Sequence, residues 1–559
     1  MITFLVLSLA ATALLAQETP AASRAAEPVT AETDQDVNNP RALRLSLNDA
    51  LRTAIERNLG VQLQEFEYQE ASHSLRSQYG IYDLLANGRV AENSLEAPVT
   101  SIIETPASRS HELQAGISQN LPTGGGYSVG VDFSRGTGGF GSFDPEYSQS
   151  LSFGVDQPLL RDFGIDINRR FITIARNTLG LNHETFRTVL MDTAVAVEQA
   201  YLNLIYARRA VEVVKESLFL ARDQARITQI RIDVGASAPL DILQPRVTIA
   251  TTEEQLITSV ASVRSAEDRL RQLLNLAPEE WDRPIIPTDP VDYRPMTINL
   301  EDAVRRAYEL RPELRQDQLQ TDTARVQYLY ARNQTLPQLD FELRYGLSGV
   351  AGTETTRDPV TGAVTVNRIP FGRGLRSIGE LEFPNWTVGF NVGYNITNVG
   401  ARAEARRAEL DFRQSRLAQE ETRQTIAVDV RQAARDVDTA SRTIVASRAA
   451  REAAERNVEA ERRRYENGMT TNFQVLEVQQ QLSDARVREL QALVGYNQAV
   501  ARYHRAVGDV LEVRNISVDV PELAKEPSIF SGRLDRYNWL NYGSRVNLEE
   551  QPNDGDTRR

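Results

Sequence analysis

"NWTVGFNVGYNI" (Asn385 to Ile396) places Trp386, Val388, Phe390, Val392, Tyr394 and Ile396 on one side and Thr387, Gly389, Asn391, Gly393 and Asn395 on the other. A period of two over this length marks a β-strand, and one of its faces is wholly apolar. The sequence around it has another character, long Arg-, Ala- and Glu-rich segments that read as solvated helix. What the apolar face touches therefore decides the fold.

Other stretches alternate in the same way. "LQAGISQNL" (Leu113 to Leu121) and "YSVGVDFS" (Tyr127 to Ser134) flank the turn "PTGGG"; "YSQSLSFGVDQ" (Tyr147 to Gln157) sets Leu151, Phe153 and Val155 on one face; "LDFELRYGL" runs from Leu339 to Leu347. Leu84 to Ser94 alternates poorly. Each stretch is close to the ~9 to 11 residues that a tilted membrane strand requires. The opposite faces carry Gly, Ser, Asn, Asp, Thr, Glu and Arg, which suit a water-filled lumen. A membrane barrel is thus favoured over a soluble half-buried sheet, with Trp386, Val388, Phe390, Val392, Tyr394, Leu151, Phe153 and Val155 toward lipid. One chain offers four to six such strands, too few to close a wide pore, so the barrel has to be shared between chains.

The chain is also written twice. "LNDALRTAIERN" from Leu47 matches "LEDAVRRAYELR" from Leu300, and "RIDVGASAPLDIL" from Arg231 matches "RYENGMTTNFQVL" from Arg464. Between these landmarks, Ala194, Val197, Tyr201, Leu204, Arg208 and Val211 step by threes and fours, and Ala427, Val430, Ala434, Val437, Ser441 and Ile444 repeat the spacing. Such narrow seams predict long, paired, coiled-coil-type helices of about 60 residues. Gly235 and Gly468 stand where one long helix ends and its partner begins, Pro239 suits a first helical turn, and Thr471 with Gln474 has the form of a capping box. The fold class is mixed α/β, long antiparallel helices plus a shared β-barrel, in two copies spanning 41–295 (tip near 235) and 296–511 (tip near 468). A polar tail, 512–559, follows.

Composition narrows the function. Aromatics are 7% and hydrophobics 41% of 559 residues, a thin supply for large compact cores. A formal charge of -13 with no predominantly basic segment excludes nucleic acid as a partner. Phe4 to Ala16 is a 13-residue apolar run that reads as a secretory signal peptide (1–16), although no Lys or Arg precedes it and the start codon is left open. An acidic flexible linker (17–40) follows, and zero cysteines rules out lipidation on a cysteine. No later run of 18 apolar residues exists, so any membrane crossing has to be a closed barrel. "GTGGFG" (Gly136 to Gly141) satisfies a dinucleotide-loop pattern, but a strand follows it, so it reads as a loop between strands. His73, His111, His183 and His504 show no ligand spacing, and no nucleophile motif occurs, so neither enzyme, cofactor nor metal is expected.

In this order of parts the chain resembles the TolC-like outer-membrane channels of drug efflux and type I secretion. The carrying residues are the "L-x-x-A" openings at Leu47 and Leu300, the strand-to-helix junction "QPLLRDFG" (Gln157 to Gly164), and the "R-x-x-x-G" turns at Arg231 to Gly235 and Arg464 to Gly468. The resemblance covers Ala42 to Leu511. It implies a homotrimer in the outer membrane, each protomer giving four strands to a 12-stranded barrel and its long helices to a periplasmic tunnel. To reconcile this with six candidate strands, either the hairpin from Leu113 to Ser134 lies outside the wall or Leu84 to Ser94 extends the preceding helix. The resemblance further implies that the tip turns, Arg231, Val234, Gly235, Arg464, Asn467 and Gly468, contact a periplasmic adaptor joined to an inner-membrane transporter. Carried over in the same way, an acidic entrance constriction falls on Gln474 and Glu477, with Asp241 as the equivalent of Gln474 in the first copy. The alternative is a periplasmic coiled-coil scaffold that conducts nothing.

Overall fold

The structure is a computed structural model describing residues 39–96, 98, 107–138, 143–357 and 360–516. The expected signal peptide, nearly all of the linker and most of the tail lie outside the described residues.

Among the described residues the first elements are β1 (Leu43–Leu45), α1 (Leu47–Arg57) and α2 (Leu59–Gln78), followed by strands β2 (Leu85–Glu96), β3 (Ala107–Asn120), β4 (Gly126–Thr137) and β5 (Phe143–Pro158). The long helix α3 (Arg170–Asp233), α4 (Leu243–Leu274) and β6 (Ile285–Pro287) come next. A similar order then recurs as α5 (Leu300–Leu310), α6 (Pro312–Asn333), β7 (Gln338–Arg357), β8 (Val364–Ile369), a short α7 (Phe371–Gly379), β9 (Pro384–Gly393), α8 (Val399–Glu466) and α9 (Asn472–Val507). Helices α3 and α8 run for 64 and 68 residues, so each is on the order of 100 Å long.

The matching openings fold alike for a local reason. The Ser46 side chain caps α1 by accepting from the Asp49 N–H, and the Asn299 side chain caps α5 by accepting from Glu301 and Asp302. Each helix then buries its paired alanines, Ala50 and Ala54 or Ala303 and Ala307, against a long helix. Seam residues Ala194, Val197, Tyr201, Leu204 and Val211 are buried in one core, and Val430, Val437 and Ile444 in another. Arg208, also in the first seam, donates to Glu267 Oε1 of α4 at 2.7 Å. Glu267 has no exposed surface and is also held by Arg271, at 3.2 Å.

All seven long-sheet strands lie in one antiparallel sheet, in the order β2-β3-β4-β5-β7, beyond which both β8 and β9 pair with β7. β8 covers Gly352 to Arg357 of β7 and β9 covers Gln338 to Leu347, with α7 interrupting what would otherwise be one strand position. Where α7 crosses the sheet, Gly374 sits so near Gly349 that a Cβ on Gly349 would meet its carbonyl oxygen at 2.2 Å. Six strand positions therefore stand side by side, against the four that the resemblance implied. Two expectations need correction. Leu84 to Ser94 does not prolong the helix: α2 ends at Gln78 and β2 is paired with β3 along twelve positions, from Leu85 with Ser118 to Glu96 with Ala107. The opening strand also stops at Gly393, opposite the first residue of β7, Gln338, so Tyr394 and Ile396 have no ladder to join.

The junction quoted above anchors sheet to helices. Thr123 in the β3–β4 turn donates its hydroxyl to Gln157 Oε1 at 2.7 Å, and its carbonyl accepts from the Gly164 N–H at 3.1 Å. From the other side, Asn333 at the end of α6 accepts from the Asp162 N–H at 2.8 Å. The strand-to-helix turn is thus tied to both copies of the helix-strand order at once.

Candidate functional site

Two places bear on function, the two faces of the sheet and the two helical tips. The register fixes the faces. Val388 of β9 lies beside Leu343 of β7, which lies beside Val155 of β5, and Trp386, Tyr345 and Phe153 form the next such row. The same face continues through Val129, Val131 and Phe133 of β4, Leu113 and Ile117 of β3, and Ala86 and Val90 of β2. The sequence-predicted residues Trp386, Val388, Phe390, Val392, Leu151, Phe153 and Val155 are therefore brought together on one apolar surface; Tyr394 lies just past its edge. At the end remote from the helices this surface turns polar, where Glu92 stands beside His111 and the Arg135 guanidinium lies 5.9 Å from the Tyr147 ring centroid.

The reverse face is polar and internally paired. Arg344 makes a two-pronged contact with Asp156, both distances 2.9 Å, and a third with Glu342 at 3.2 Å. Ser150 donates to Asp132, and Asn391 to Glu342. The sheet thus has one oily face and one ion-paired face, and α7 lies over the far end of the oily one, where the Phe371 ring meets those of Phe133 and Tyr147. Among the described residues no helix is long and apolar enough to cross a membrane.

At the tips, both turns adopt one geometry. Gly235 (φ 77°) and Gly468 (φ 72°) occupy the left-handed region. The Ala236 N–H bonds the Arg231 carbonyl at 2.7 Å, and the Met469 N–H the Arg464 carbonyl at 2.9 Å, closing each long helix with a Schellman-type turn. A side chain at either glycine would meet open space but a strained φ, so conformation and not room selects glycine here. Thr471 supplies its half of the expected cap, accepting from the Gln474 N–H.

The structure brings the two tips into contact. Arg231 of the first turn donates to the Tyr465 carbonyl of the second at 3.0 Å, and its guanidinium lies 4.3 Å from the Tyr465 ring centroid. Further up, Gln224 donates to Asn472 Oδ1 at 2.6 Å. Arg464 pairs instead with the buried Glu461, which also accepts from the Thr470 hydroxyl, and Asn467 bonds the carbonyl of Arg463 in its own helix. Tyr465, Gln224 and Glu461 were not singled out in the sequence; an aromatic one residue from a tip arginine is the signal that could have drawn notice. Val234, Met469 and Phe473 leave apolar side chains exposed at this end. Asp241, Gln474 and Glu477 are all exposed, and Asp241 additionally accepts from the Ala238 N–H at 3.0 Å.

The two-faced sheet and the paired long helices define a channel-type outer-membrane protein. The model of the outer membrane efflux protein family matches residues 124–276 and 303–509, and the chain belongs to that family. Its members are channels, not enzymes. Among solved structures, the CmeC outer membrane channel of Campylobacter jejuni superposes with a TM-score of 0.61 at 14% identity, over 85% of this chain and 87% of that one. VceC of Vibrio cholerae gives 0.59 at 12% identity over 83% and 96%, and the open state of the MtrE outer membrane channel of Neisseria gonorrhoeae 0.57 at 15% over 83% and 89%. These likenesses establish the fold. A toxin and drug export protein of Aggregatibacter actinomycetemcomitans is 31% identical over 85 residues, a match that takes in 15% of this chain and 19% of that protein. With the family shown, the chain is an outer-membrane efflux channel, and the non-conducting scaffold falls away.

Proposed function

We propose that this channel is the outer-membrane duct of a tripartite efflux pump or type I secretion system. It works as a passive homotrimer whose energy comes from an inner-membrane transporter joined through a periplasmic adaptor. The observation that carries the reading is the sheet: six adjacent strand positions share one apolar face for outer-membrane lipid and one ion-paired face for a water-filled lumen. The segment 1–16 acts as the export signal. The two structural copies, 41–295 and 296–511, each supply a helical hairpin to the periplasmic tunnel.

Assembly into a ring is supported by two bare flanks. On α8, Val399, Leu410, Leu417 and Val428 are exposed and spaced by 11, 7 and 11 residues, which at 100° per residue keeps them within about 20° of one line. The buried residues Ile426, Val430, Val437 and Ile444 point the opposite way. On α2, Leu59, Leu63 and Phe66 form a second exposed stripe at i, i+4 and i+7. These flanks are the ones that lead into the outermost strands, α2 into β2 and β9 into α8. A heterologous contact of one copy's α8 flank with the next copy's α2 flank buries both stripes and closes a ring.

In this assembly the tip residues Arg231, Val234, Gly235, Arg464, Asn467 and Gly468 face the adaptor, whose apolar contacts meet Val234 and Met469. Arg231 on Tyr465 clamps the two hairpins together, and sliding of the hairpins past each other opens the entrance. Asp241 and Glu477, flanking Gln474 and repeated around the axis, make that entrance cation-attracting. Planar-bilayer recording tests the reading. The purified protein should give discrete, cation-selective conductance steps, with selectivity reduced in the Asp241→Ala, Glu477→Ala double variant. A protein that inserts into outer-membrane lipid but conducts no ions contradicts the duct.

A further inference from the structure

We propose that the barrel wall contains eighteen strands, six from each of three chains, closed by antiparallel pairing of β9 of one copy with β2 of the next. The inference rests on the trimeric duct above and adds the architecture of its wall. Every backbone N–H and C=O at lipid depth requires a partner, because hydrocarbon offers none. Within one chain the edge of β2 away from β3 and the edge of β9 away from β7 are unpaired among the described residues. A smaller barrel would need β4 as its edge, but both sides of β4 are occupied, by β3 from Gly126 to Thr137 and by β5 from Gly126 to Gly136. Freeing β4 would strip a ladder of twelve paired positions.

Three further observations agree. Every neighbouring pair is antiparallel, so six positions bring β2 and β9 to the edges in opposite directions, and the seam between copies closes antiparallel as well. Over the half nearer the helices the apolar face continues onto β3 at Leu113 and Ile117 and onto β2 at Ala86 and Val90, and it turns polar beyond them, where Glu92 stands beside His111. Exposure is concentrated at the same edges: Val90 is 82% and Val392 75% exposed, while Phe153 in the middle of the sheet is 39% exposed. Barrel diameter grows roughly linearly with strand number, so eighteen strands in place of twelve widen the wall about 1.5-fold and double its cross-section, roughly. The membrane section is then wider than a four-strand-per-chain wall permits, and the helical tunnel and its tip become the narrow part of the duct.

Electron microscopy of the wild-type protein in lipid nanodiscs counts the strands directly in end-on density, and eighteen are expected. The cysteine-free chain permits an independent test, pairing Val388→Cys in β9 with Val90→Cys in β2, and separately with Val129→Cys in β4 as the alternative seam. Moving the β2 partner along alternate residues from Ala86 to Ser94 covers the possible registers. Disulfide-linked oligomers are expected from the β9–β2 set and not from β9–β4. A trimer with twelve wall strands, or β9–β4 linkage, overturns the strand count and leaves the duct standing. Any other oligomeric state overturns both.

Discussion

Helices α3 and α8 have nearly the same length and follow the same kind of strand, yet α3 buries 21 of its residues and α8 only eight. α3 packs on α2, α4, α6 and α9, so its surface is consumed by its own chain. α8 uses one stripe for α6 and α9 and leaves an apolar stripe bare on its opposite side. Equal sequence periodicity thus has two outcomes, an internal core in one helix and, in the other, a bare stripe that we propose a second copy covers. Burial separates them; hydrophobic spacing alone does not.

The largest expected effect breaks that contrast on its outer side. Leu410→Arg with Leu417→Arg should abolish the trimer while far-ultraviolet circular dichroism keeps its helical signal, as light scattering in detergent would reveal. A trimer that survives both charges means the stripe is not an interface. On the inner side, Glu267→Ala leaves Arg208 and Arg271 beside each other without their carboxylate and should cost about 3–5 kcal/mol. Thermal unfolding of the detergent-extracted protein reads that loss. Leu204→Ala in α3 should cost about 2–5 kcal/mol, since Leu204 has no exposed surface. In a dissociated chain Leu417→Ala should stay within about 0.5 kcal/mol, and similar losses at both positions would erase the distinction between the helices.

Smaller effects refine the picture. Thr471→Ala removes the α9 cap and should cost about 1 kcal/mol, seen first as faster hydrogen exchange at the second tip. Glu313 sits where α6, α9 and α5 meet. Burial alone would raise its pKa, but Arg311 and then Arg505 outweigh burial and hold it below the ordinary value of 4.5. A depressed carboxylate contributes stability that is fully present above the unfolded value and is lost as pH falls through the folded one. Acid melting below about pH 4.5 should therefore be less steep in Glu313→Gln than in the wild type. Glu198 provides the opposite sign. Burial raises its pKa despite Arg514, so its ionisation is unfavourable above the unfolded value, and Glu198→Gln should narrow the stability difference between mildly acidic and neutral pH.

Much of the fold was legible because a sheet with one apolar and one polar face imposes a strict period. Trp386 to Val392 and Leu151 to Val155 announced their face from sequence alone, and the tip glycines announced their turns through conformational need. β2 escaped because its face loses apolar character toward the far end, where Glu92 meets His111, and pairing with β3 overrides the weak pattern. Tyr394 and Ile396 continued the alternation but not the strand, since strand length is set by the partner β7. The Arg231–Tyr465 clasp joins residues 234 positions apart, and nothing local to either predicts it. Arg208 was read as a seam position, correctly placed, but its reason lies in Glu267 on another helix.

The central claim is that bare flanks of one chain meet those of another to close a ring across the outer membrane. Membrane fractionation followed by native mass spectrometry of the detergent-extracted protein tests it most directly. Three chain masses from the outer-membrane fraction is the predicted result. A single chain recovered from the soluble periplasmic fraction would contradict the account.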